Sequence, residues 1–283
     1  MTVLMPTSLT EALMALSTHP DALVIAGGTD LMVEINFNRR KPTNVIALRN
    51  VEELSHWFLS PDGLTLRIGA GIPYAAMEKG TIAELIPALS QAARTVGSPQ
   101  IRAVATLGGN LGTCSPAGDG LPVLSALDAV IHLHSPSGQR DVSVHDFMIG
   151  VKRTTRTNLE LITAVTVPVV TGWQGYAKVG ARNAMVIAVA SACLVVDVTA
   201  GTVRLALGAV GPTVLRCRQT EDWFATQHHI SSVAQVPPTL AREFGDRAAR
   251  EAQPIDDHRS TAVYRRHAIA VLANRLVQRA YSA

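Results

Sequence analysis

The spacing of apolar and polar residues at the start of the chain alternates between helical and extended patterns. Ser8 and Glu11 form the S-x-x-E box that caps a helix, and leucines at helical spacing follow it. Short apolar runs at 22–26 and 44–48 indicate strands, with a helix-like segment at 31–37 between them. Because helices and strands alternate here, the pattern predicts a small parallel α/β unit.

Farther along, the pattern becomes mainly that of strands. Residues 64–70 alternate as a half-buried strand, and residues 85–96 have a helical spacing that ends at Gly97 and Pro99. A turn is predicted at 135–138, where serines, a proline and a glycine cluster. It lies within a predicted antiparallel set of strands: residues 129–133, 140–144 and 159–167.

The stretch 168–175 contains a proline, two glycines and no periodicity, and it therefore predicts a domain boundary. In the last helix that follows, Val263, Ile269, Leu272 and Leu276 are expected to form the core face. The segments predicted after the boundary are an apolar run, a hairpin, a strand and two helices: residues 186–198, 197–202, 203–210, 237–251 and 260–282.

Composition and charge narrow the class of protein. A formal charge of +3 with scattered basic residues, and an aromatic content of only 4%, argue against a nucleic-acid partner. The longest apolar stretch, 184–196, is shorter than the roughly 18 residues of a membrane-spanning helix, and no export signal is visible. Cys114, Cys193 and Cys217 lie far apart and predict free thiols, so we expect a cytoplasmic protein with no zinc or iron-sulfur site.

Two glycine-rich loops carry the most specific chemistry. The first is Ala26-Gly27-Gly28-Thr29-Asp30-Leu31, and the second occupies residues 106–119. Adjacent glycines let the backbone approach a ligand closely, so several N–H groups can converge on an anion such as a pyrophosphate. Neither loop has the G-x-G-x-x-G fingerprint; Gly69-Ala70-Gly71 comes closest, with Tyr74 in place of the third glycine. A dinucleotide would therefore be held by two separate loops.

Each loop also has a structural interpretation. A strand that ends in Gly27-Gly28 can simply make a tight turn. The second loop is more specific, because its glycines, Asn110 and Ser115 supply many polar groups and little bulk. Asp119 is either an acceptor for a ribose hydroxyl or the cap of a following helix.

With these motifs, the chain resembles the flavin-binding subunit of the molybdenum hydroxylases, the family of xanthine dehydrogenase and aerobic carbon monoxide dehydrogenase. The T-L-G-G-N…S-P-x-x-D string of the second loop is the most specific part, and A-G-G-T-D-L of the first loop is moderately specific. The resemblance also includes the opening at 6–13, Ala177-Lys178 and the segment 257–266, so it covers nearly the whole chain.

The resemblance implies an α+β fold with two domains. Residues 1–170 would form a two-lobed FAD-binding domain, made of a small parallel α/β lobe and an antiparallel-sheet lobe. Residues 171–283 would form a smaller α+β domain with an antiparallel sheet and C-terminal helices. The flavin is expected between the lobes, with its ring near the second domain.

By position, the resemblance implies cofactor-binding residues in both loops. Ile162, or its neighbour Leu161, would pack against the flavin, and Lys178 would lie beside the ring. A cation there favours the anionic reduced flavin, although a surface charge is the alternative role of Lys178. The loop residues expected to line the FAD are Ile25, Ala26, Gly27, Gly28, Thr29 and Leu31 on one side, and Ala105, Thr106, Gly109, Asn110, Gly112, Thr113, Ser115, Gly118 and Asp119 on the other.

The implied activity is that of an oxidoreductase subunit. Electrons would come from a molybdopterin centre in a large subunit, cross [2Fe-2S] clusters in a small subunit, reach the FAD of this chain, and leave to NAD, a quinone or oxygen. A dimer of heterotrimers is the implied assembly, and no catalytic residue or metal ligand is assigned in this chain. Two alternatives stay open: a self-sufficient FAD-dependent oxidoreductase of the broader two-lobed class, and a non-catalytic nucleotide-binding or scaffold protein.

Two smaller features have structural interpretations. His132 and His134 share a face of a predicted strand and could bind a metal, but no third ligand is evident, so a packed or surface pair is favoured. Arg265 and Arg266 at the start of the last helix are expected to be a solvated face or a partner contact.

Overall fold

The computed structural model of the protein describes residues 1–231 and 234–282. Ser232, Val233 and Ala283, which belong to the predicted second domain, lie outside the described residues. The strands are β1 (Thr2–Leu4), β2 (Leu23–Ile25), β3 (Asn44–Ala47), β4 (Trp57–Leu59), β5 (Thr65–Gly69), β6 (Val130–Ser135), β7 (Gly138–Ser143), β8 (Met148–Gly150), β9 (Arg153–Thr154), β10 (Leu161–Pro168), β11 (Gly172–Val179), β12 (Ala190–Asp197), β13 (Thr202–Gly208) and β14 (Leu215–Arg216). The α-helices are α1 (Leu9–Thr18), α2 (Leu31–Asn36), α3 (Tyr74–Met77), α4 (Thr81–Leu85), α5 (Pro87–Thr95), α6 (Pro99–Val104), α7 (Leu107–Thr113), α8 (Gly120–Ala126), α9 (Val144–Phe147), α10 (Arg218–Gln227), α11 (Pro238–Glu251) and α12 (Ala262–Ala280).

The N-terminal lobe is the predicted parallel unit. Its sheet has the order β1-β3-β2, and both neighbours pair with the central strand in parallel. Ser8 caps α1 by accepting a hydrogen bond from the N–H of Glu11 at 3.2 Å, as the sequence predicts. Leu16 of the helix and Ile46 of the sheet are fully buried in a core that joins the two elements.

The second lobe contains a five-stranded antiparallel sheet in the order β4-β5-β10-β6-β7. The predicted strands at 64–70, 129–133, 140–144 and 159–167 all belong to it. Its inner face is apolar, because alternate residues such as Ile68 point into the core that the sheet shares with α5, α7 and α8.

The second domain has a four-stranded antiparallel sheet, β11-β12-β13-β14, packed against α10, α11 and α12. All eight residues of β12 are buried. Leu194 and Val196 face the core of this domain, whereas Cys193 and Val195 join the core of the first domain. A sheet covered on both faces explains the continuous apolar run in the sequence.

The structure differs from the sequence prediction at several places, among them β11, α10 and Val263. Strand β11 (Gly172–Val179) begins within the stretch 168–175 that was predicted to be irregular, because its pairing with β12 stabilises it despite its glycines. Helix α10 was not predicted. Val263 is 77% exposed and the prediction that it faces the core is wrong, whereas Ile269, Leu272 and Leu276 are buried as predicted.

Candidate functional site

A cleft of about 1060 Å³ lies between the two lobes of the first domain and a loop of the second. All predicted cofactor residues except Lys178 line this cleft, and both Leu161 and Ile162 are among them. The second domain contributes Met185, Val186 and Ile187 from the loop between β11 and β12. The fold therefore brings the two glycine loops, which are far apart in sequence, to one site.

The first glycine loop packs directly against the chain that leads into the second. A Cβ atom on Gly27 would lie 1.8 Å from the carbonyl oxygen of Val104 and 2.9 Å from the nitrogen of Ala105. No side chain fits there, so Gly27 is required by the contact between the loops. Gly28 has a φ of +71°, which turns the chain toward α2 at little cost for a residue without a Cβ.

Backbone donors of the first loop are unused by the protein. Within residues 1–231 and 234–282, the N–H groups of Gly28, Thr29 and Asp30 donate no hydrogen bond. Consecutive N–H groups near a left-handed residue form a concavity that suits an anion. This part of the cleft therefore offers hydrogen-bond donors to a phosphate group.

The second loop forms α7 and leaves room on its cleft side. Thr106 caps the helix by accepting a hydrogen bond from the N–H of Gly109 at 3.0 Å. A Cβ on Gly108 would lie 2.5 Å from Cβ of Ala70, so this glycine permits close packing on the end of β5. Cβ atoms on Gly109 and Gly112 would meet nothing closer than 3.1 Å and 3.7 Å, so these two glycines face more open space.

Tyr74 orients Asn110 of the second loop. Its hydroxyl donates to Oδ1 of Asn110 at 2.8 Å, and the tyrosine is only 1% exposed. Burial raises the pKa of Tyr74 far above its ordinary value, so the phenol stays a neutral donor. Sequence reasoning noticed Tyr74 only as the residue that breaks the G-x-G-x-x-G pattern, and this contact across 36 positions had no sequence signal.

Asp119 and Lys178 form a buried ion pair beside the cleft. Nζ of Lys178 lies 2.6 Å from Oδ2 of Asp119 and also donates to the carbonyl oxygen of Thr95 at 2.9 Å. The hydroxyl of Tyr176 donates to Oδ1 of Asp119 at 2.8 Å. Burial raises the pKa of Asp119, while the Lys178 ammonium and the Tyr176 hydroxyl act against that rise.

This pair argues against two of the roles left open by the sequence, a surface charge for Lys178 and a helix cap for Asp119. Lys178 does not line the cleft, so it reaches the site through Asp119. Because its side chain is only 6% exposed, Lys178 is not a surface charge. Asp119 precedes α8 but makes no side-chain capping hydrogen bond, so the capping alternative is wrong.

A second group of charges joins the two lobes at the cleft. Nζ of Lys152, which follows β8, lies 2.6 Å from Oε1 of Glu34 in α2 and 3.2 Å from Oδ2 of Asp30. Glu34 also binds Arg40 at 2.7 Å. Sequence reasoning missed this group, because Lys152 is more than a hundred positions from Asp30 and Glu34 and all of these residues look like ordinary surface charges.

Of the predicted histidine pair, His132 contacts side chains on both neighbouring strands. Nδ1 of His132 lies 2.6 Å from Asp141 Oδ1, and its Nε2 lies 2.7 Å from Thr166 Oγ1, across neighbouring strands. No cluster of three histidine, cysteine or acidic residues suited to a metal exists among the described residues. In the same part of the chain, every helix is too short or too polar to span a lipid bilayer.

Comparison with known families and proteins agrees with this geometry. A family described as "FAD binding domain in molybdopterin dehydrogenase" matches residues 1–170, and one described as "CO dehydrogenase flavoprotein C-terminal domain" matches residues 175–280. The xanthine dehydrogenase FAD-binding subunit of Escherichia coli O157:H7 is 27% identical over an alignment of 285 positions, which covers 98% of this chain and 94% of the relative. The nicotinate dehydrogenase FAD-subunit of Eubacterium barkeri is 35% identical over an alignment of 229 positions, which covers 77% of each chain.

Solved structures resemble the whole chain. Quinoline 2-oxidoreductase from Pseudomonas putida 86 superposes with a TM-score of 0.90 at 25% identity, over 99% of this chain and 96% of the other. Carbon monoxide dehydrogenase from Hydrogenophaga pseudoflava superposes with a TM-score of 0.89 at 25% identity and the same coverage. The α+β fold predicted from the sequence is therefore confirmed.

Proposed function

The chain belongs to the family of FAD-binding subunits of the molybdenum hydroxylases, and we propose that it carries electrons from [2Fe-2S] clusters of a partner subunit to an external acceptor. The observation that supports this most strongly is the meeting of both glycine loops in one cleft. The names of its relatives, which call them subunits of dehydrogenases, support a role within a larger complex.

The residues of the cleft fit an FAD molecule. A volume of about 1060 Å³ suits a dinucleotide, since ligand clefts commonly measure about 300–1,000 Å³. The unused N–H groups of Gly28, Thr29 and Asp30 match the donors that a pyrophosphate needs. Gly109 and Gly112 keep the opposite side free of side chains, as a ligand lying flat on the backbone requires.

We assign the chain the task of holding and orienting this cofactor. The first loop would hold the phosphates, Asn110 and Ser115 would bind polar groups from the other side, and Ile162 would pack against the ring. Bound FAD supplies the exchange of electrons between one-electron donors and two-electron acceptors. Lys178 would act on the site by holding Asp119 in place, because its ammonium already binds that carboxylate.

The substrate and its molybdenum centre belong, in this proposal, to partner chains. We propose a small [2Fe-2S] subunit and a large molybdopterin subunit as partners, in a dimer of heterotrimers. The terminal acceptor would be NAD, a quinone or oxygen, reached through the open side of the cleft.

Purification of the complex from the native cell at low ionic strength tests this proposal. The chain should co-purify with two other polypeptides, and the complex should contain FAD, molybdenum and iron. Native mass spectrometry gives the stoichiometry, and reoxidation by NAD, a quinone or oxygen identifies the acceptor. Absence of both partners, or substrate turnover by the isolated chain, would contradict the proposal and favour a self-sufficient oxidoreductase.

A further inference from the structure

Arg265, in the first turns of α12, is buried in the second domain. It is 4% exposed, so the expectation that it belongs to a solvated face is wrong, whereas its neighbour Arg266 is exposed as expected. Burial of an arginine is costly unless its charge and its N–H groups have partners. The identity of those partners therefore indicates what the residue does.

One nitrogen of Arg265 joins two separate segments of backbone. Nη1 donates to the carbonyl oxygen of Val189 at 2.8 Å and to that of Ala209 at 2.7 Å. Nη2 donates to Oδ1 of Asp257 at 2.7 Å, which supplies the opposite charge. Oδ1 of Asp257 also accepts hydrogen bonds from the N–H groups of Arg259 and Ser260, so a tight turn fixes this carboxylate.

Each backbone segment leads to the cleft. Val189 closes the loop 180–189, whose Met185 and Ile187 line the cleft, and its N–H donates to the carbonyl oxygen of Val179 on the opposite strand. The base of this loop is thus held from both sides, by the strand pairing and by Arg265.

Ala209 leads to the second glycine loop. Its N–H donates to the carbonyl oxygen of Pro116 at 2.8 Å, within the Ser115–Gly118 turn that lines the cleft. The φ of Ala209 is +62°, a left-handed conformation that is unfavourable for a residue with a Cβ and persists where surrounding contacts hold it. The hydrogen bond from Arg265 to the Ala209 carbonyl is one such contact.

We propose that Arg265 is a positioning residue of the flavin cleft, which fixes both the 180–189 loop and, through Ala209, the turn around Pro116. It touches no ligand itself. The link to flavin retention rests on the proposed function, whereas the effect on the two segments can be measured without any flavin.

The proposal is tested by hydrogen–deuterium exchange of the full-length Arg265→Met variant, measured with and without added FAD. The flavin-free variant should keep native helix content by circular dichroism but lose protection in residues 180–189 and 113–119. Apart from the turn at 257–260, whose Asp257 loses its cation, other segments should be unchanged. Its dissociation constant for FAD should rise about tenfold, because a less ordered cleft must be organised on binding. Arg266→Met, which alters the exposed neighbour on the same helix, should match the wild type.

Further variants keep the test decisive. If Arg265→Met does not fold, Arg265→Lys carries the test, since its single ammonium can neutralise Asp257 but lacks the second nitrogen with which arginine reaches both carbonyls at the same time. Adding Ala209→Gly to the variant that folds should restore protection around Pro116 and leave 180–189 unprotected, because glycine adopts the left-handed conformation unaided.

Unchanged protection of both segments in a folded variant would overturn the proposal. Failure of the wild type to bind FAD would instead overturn the proposed function.

Discussion

The ammonium group of Lys178 lies 2.6 Å from the carboxylate of Asp119, and this contact joins the second domain to the second glycine loop. Both side chains are less than a tenth exposed, at 6% and 7%. Attraction between the charges offsets the cost of removing them from water only while both are present. The pair is therefore a point where a single substitution affects both the domain interface and the cleft.

We expect Lys178→Met to lower the free energy of unfolding by about 3–5 kcal/mol, because it leaves Asp119 buried without its cation. Urea denaturation measures this. Arg250→Met, which removes a cation from an exposed pair with Glu243, should cost at most about 1 kcal/mol. Adding Asp119→Asn to Lys178→Met should recover part of the loss. Equal losses in the free energy of unfolding for Lys178→Met and Arg250→Met would show that burial of the Lys178–Asp119 pair does not increase the cost of breaking it.

The stability of the first domain should depend on the ionisation of Glu160, which lines the cleft. The pKa of Glu160 is lowered from its ordinary 4.5 to about 2, and the largest cause is its hydrogen bonding with Arg140. Because the folded-state pKa is depressed, the carboxylate stabilises the fold above its ordinary pKa, and this contribution is lost as the pH falls from about 4.5 toward about 2.

Glu160→Gln tests this pH dependence. Near neutral pH the variant should be less stable by up to about 3 kcal/mol, as expected for a shift of this size. The difference in the free energy of unfolding between wild type and variant should become smaller as the pH falls, as measured by urea denaturation across the acid range. A difference that stays constant would contradict the lowered pKa of Glu160.

Gly109→Val should remove FAD retention without unfolding the chain. A Cβ at this position meets only Thr106 Oγ1 at 3.1 Å and Ala26 Cβ at 3.9 Å, so the added methyl groups extend between the two glycine loops. Gly108→Val should behave differently, because its Cβ would already lie 2.5 Å from Ala70 Cβ and 2.7 Å from the Ala70 carbonyl oxygen. Circular dichroism and flavin absorbance distinguish a blocked cleft from a disrupted fold, and wild-type flavin content in Gly109→Val would show that the second loop does not hold the cofactor.

The three thiols should be unreactive in the folded protein. Cys114, Cys193 and Cys217 are all buried and free, and burial raises the pKa of each thiol. Since the thiolate is the reactive form, Ellman's reagent should label none of them before denaturation and all three afterwards. Rapid labelling of a native thiol would contradict the burial, and fewer than three reactive groups after denaturation would contradict their free state.

Much of the fold and of the cleft was predictable from the sequence because local signals agree with the tertiary structure. The cap at Ser8, the turn at 135–138 and the apolar alternation of β5 and β10 are short-range patterns, and each has its expected counterpart. The glycine loops were recognisable because only glycine permits the approach of Gly27 to Val104 and of Gly108 to Ala70.

The features that the sequence did not predict depend on distant partners. Strand β11 is stabilised by pairing with β12, although its own composition resembles a linker. Arg265 lies on the buried face of α12 together with Ile269, Leu272 and Leu276, while Val263, two residues before it, is rotated by about 200° to the solvent side. A charged side chain is usually exposed. The carbonyl oxygens of Val189 and Ala209 and the carboxylate of Asp257 together make burial of this arginine possible.

Titration of the purified, flavin-free chain with FAD, followed by flavin fluorescence and calorimetry, tests the central claim most directly. The claim is that the cleft between the two glycine loops holds the cofactor. We expect one FAD bound per chain, weaker binding by Gly109→Ala, and none by a folded Gly109→Val. Absence of FAD binding by the wild type, or equal binding by the folded valine variant, would contradict the account.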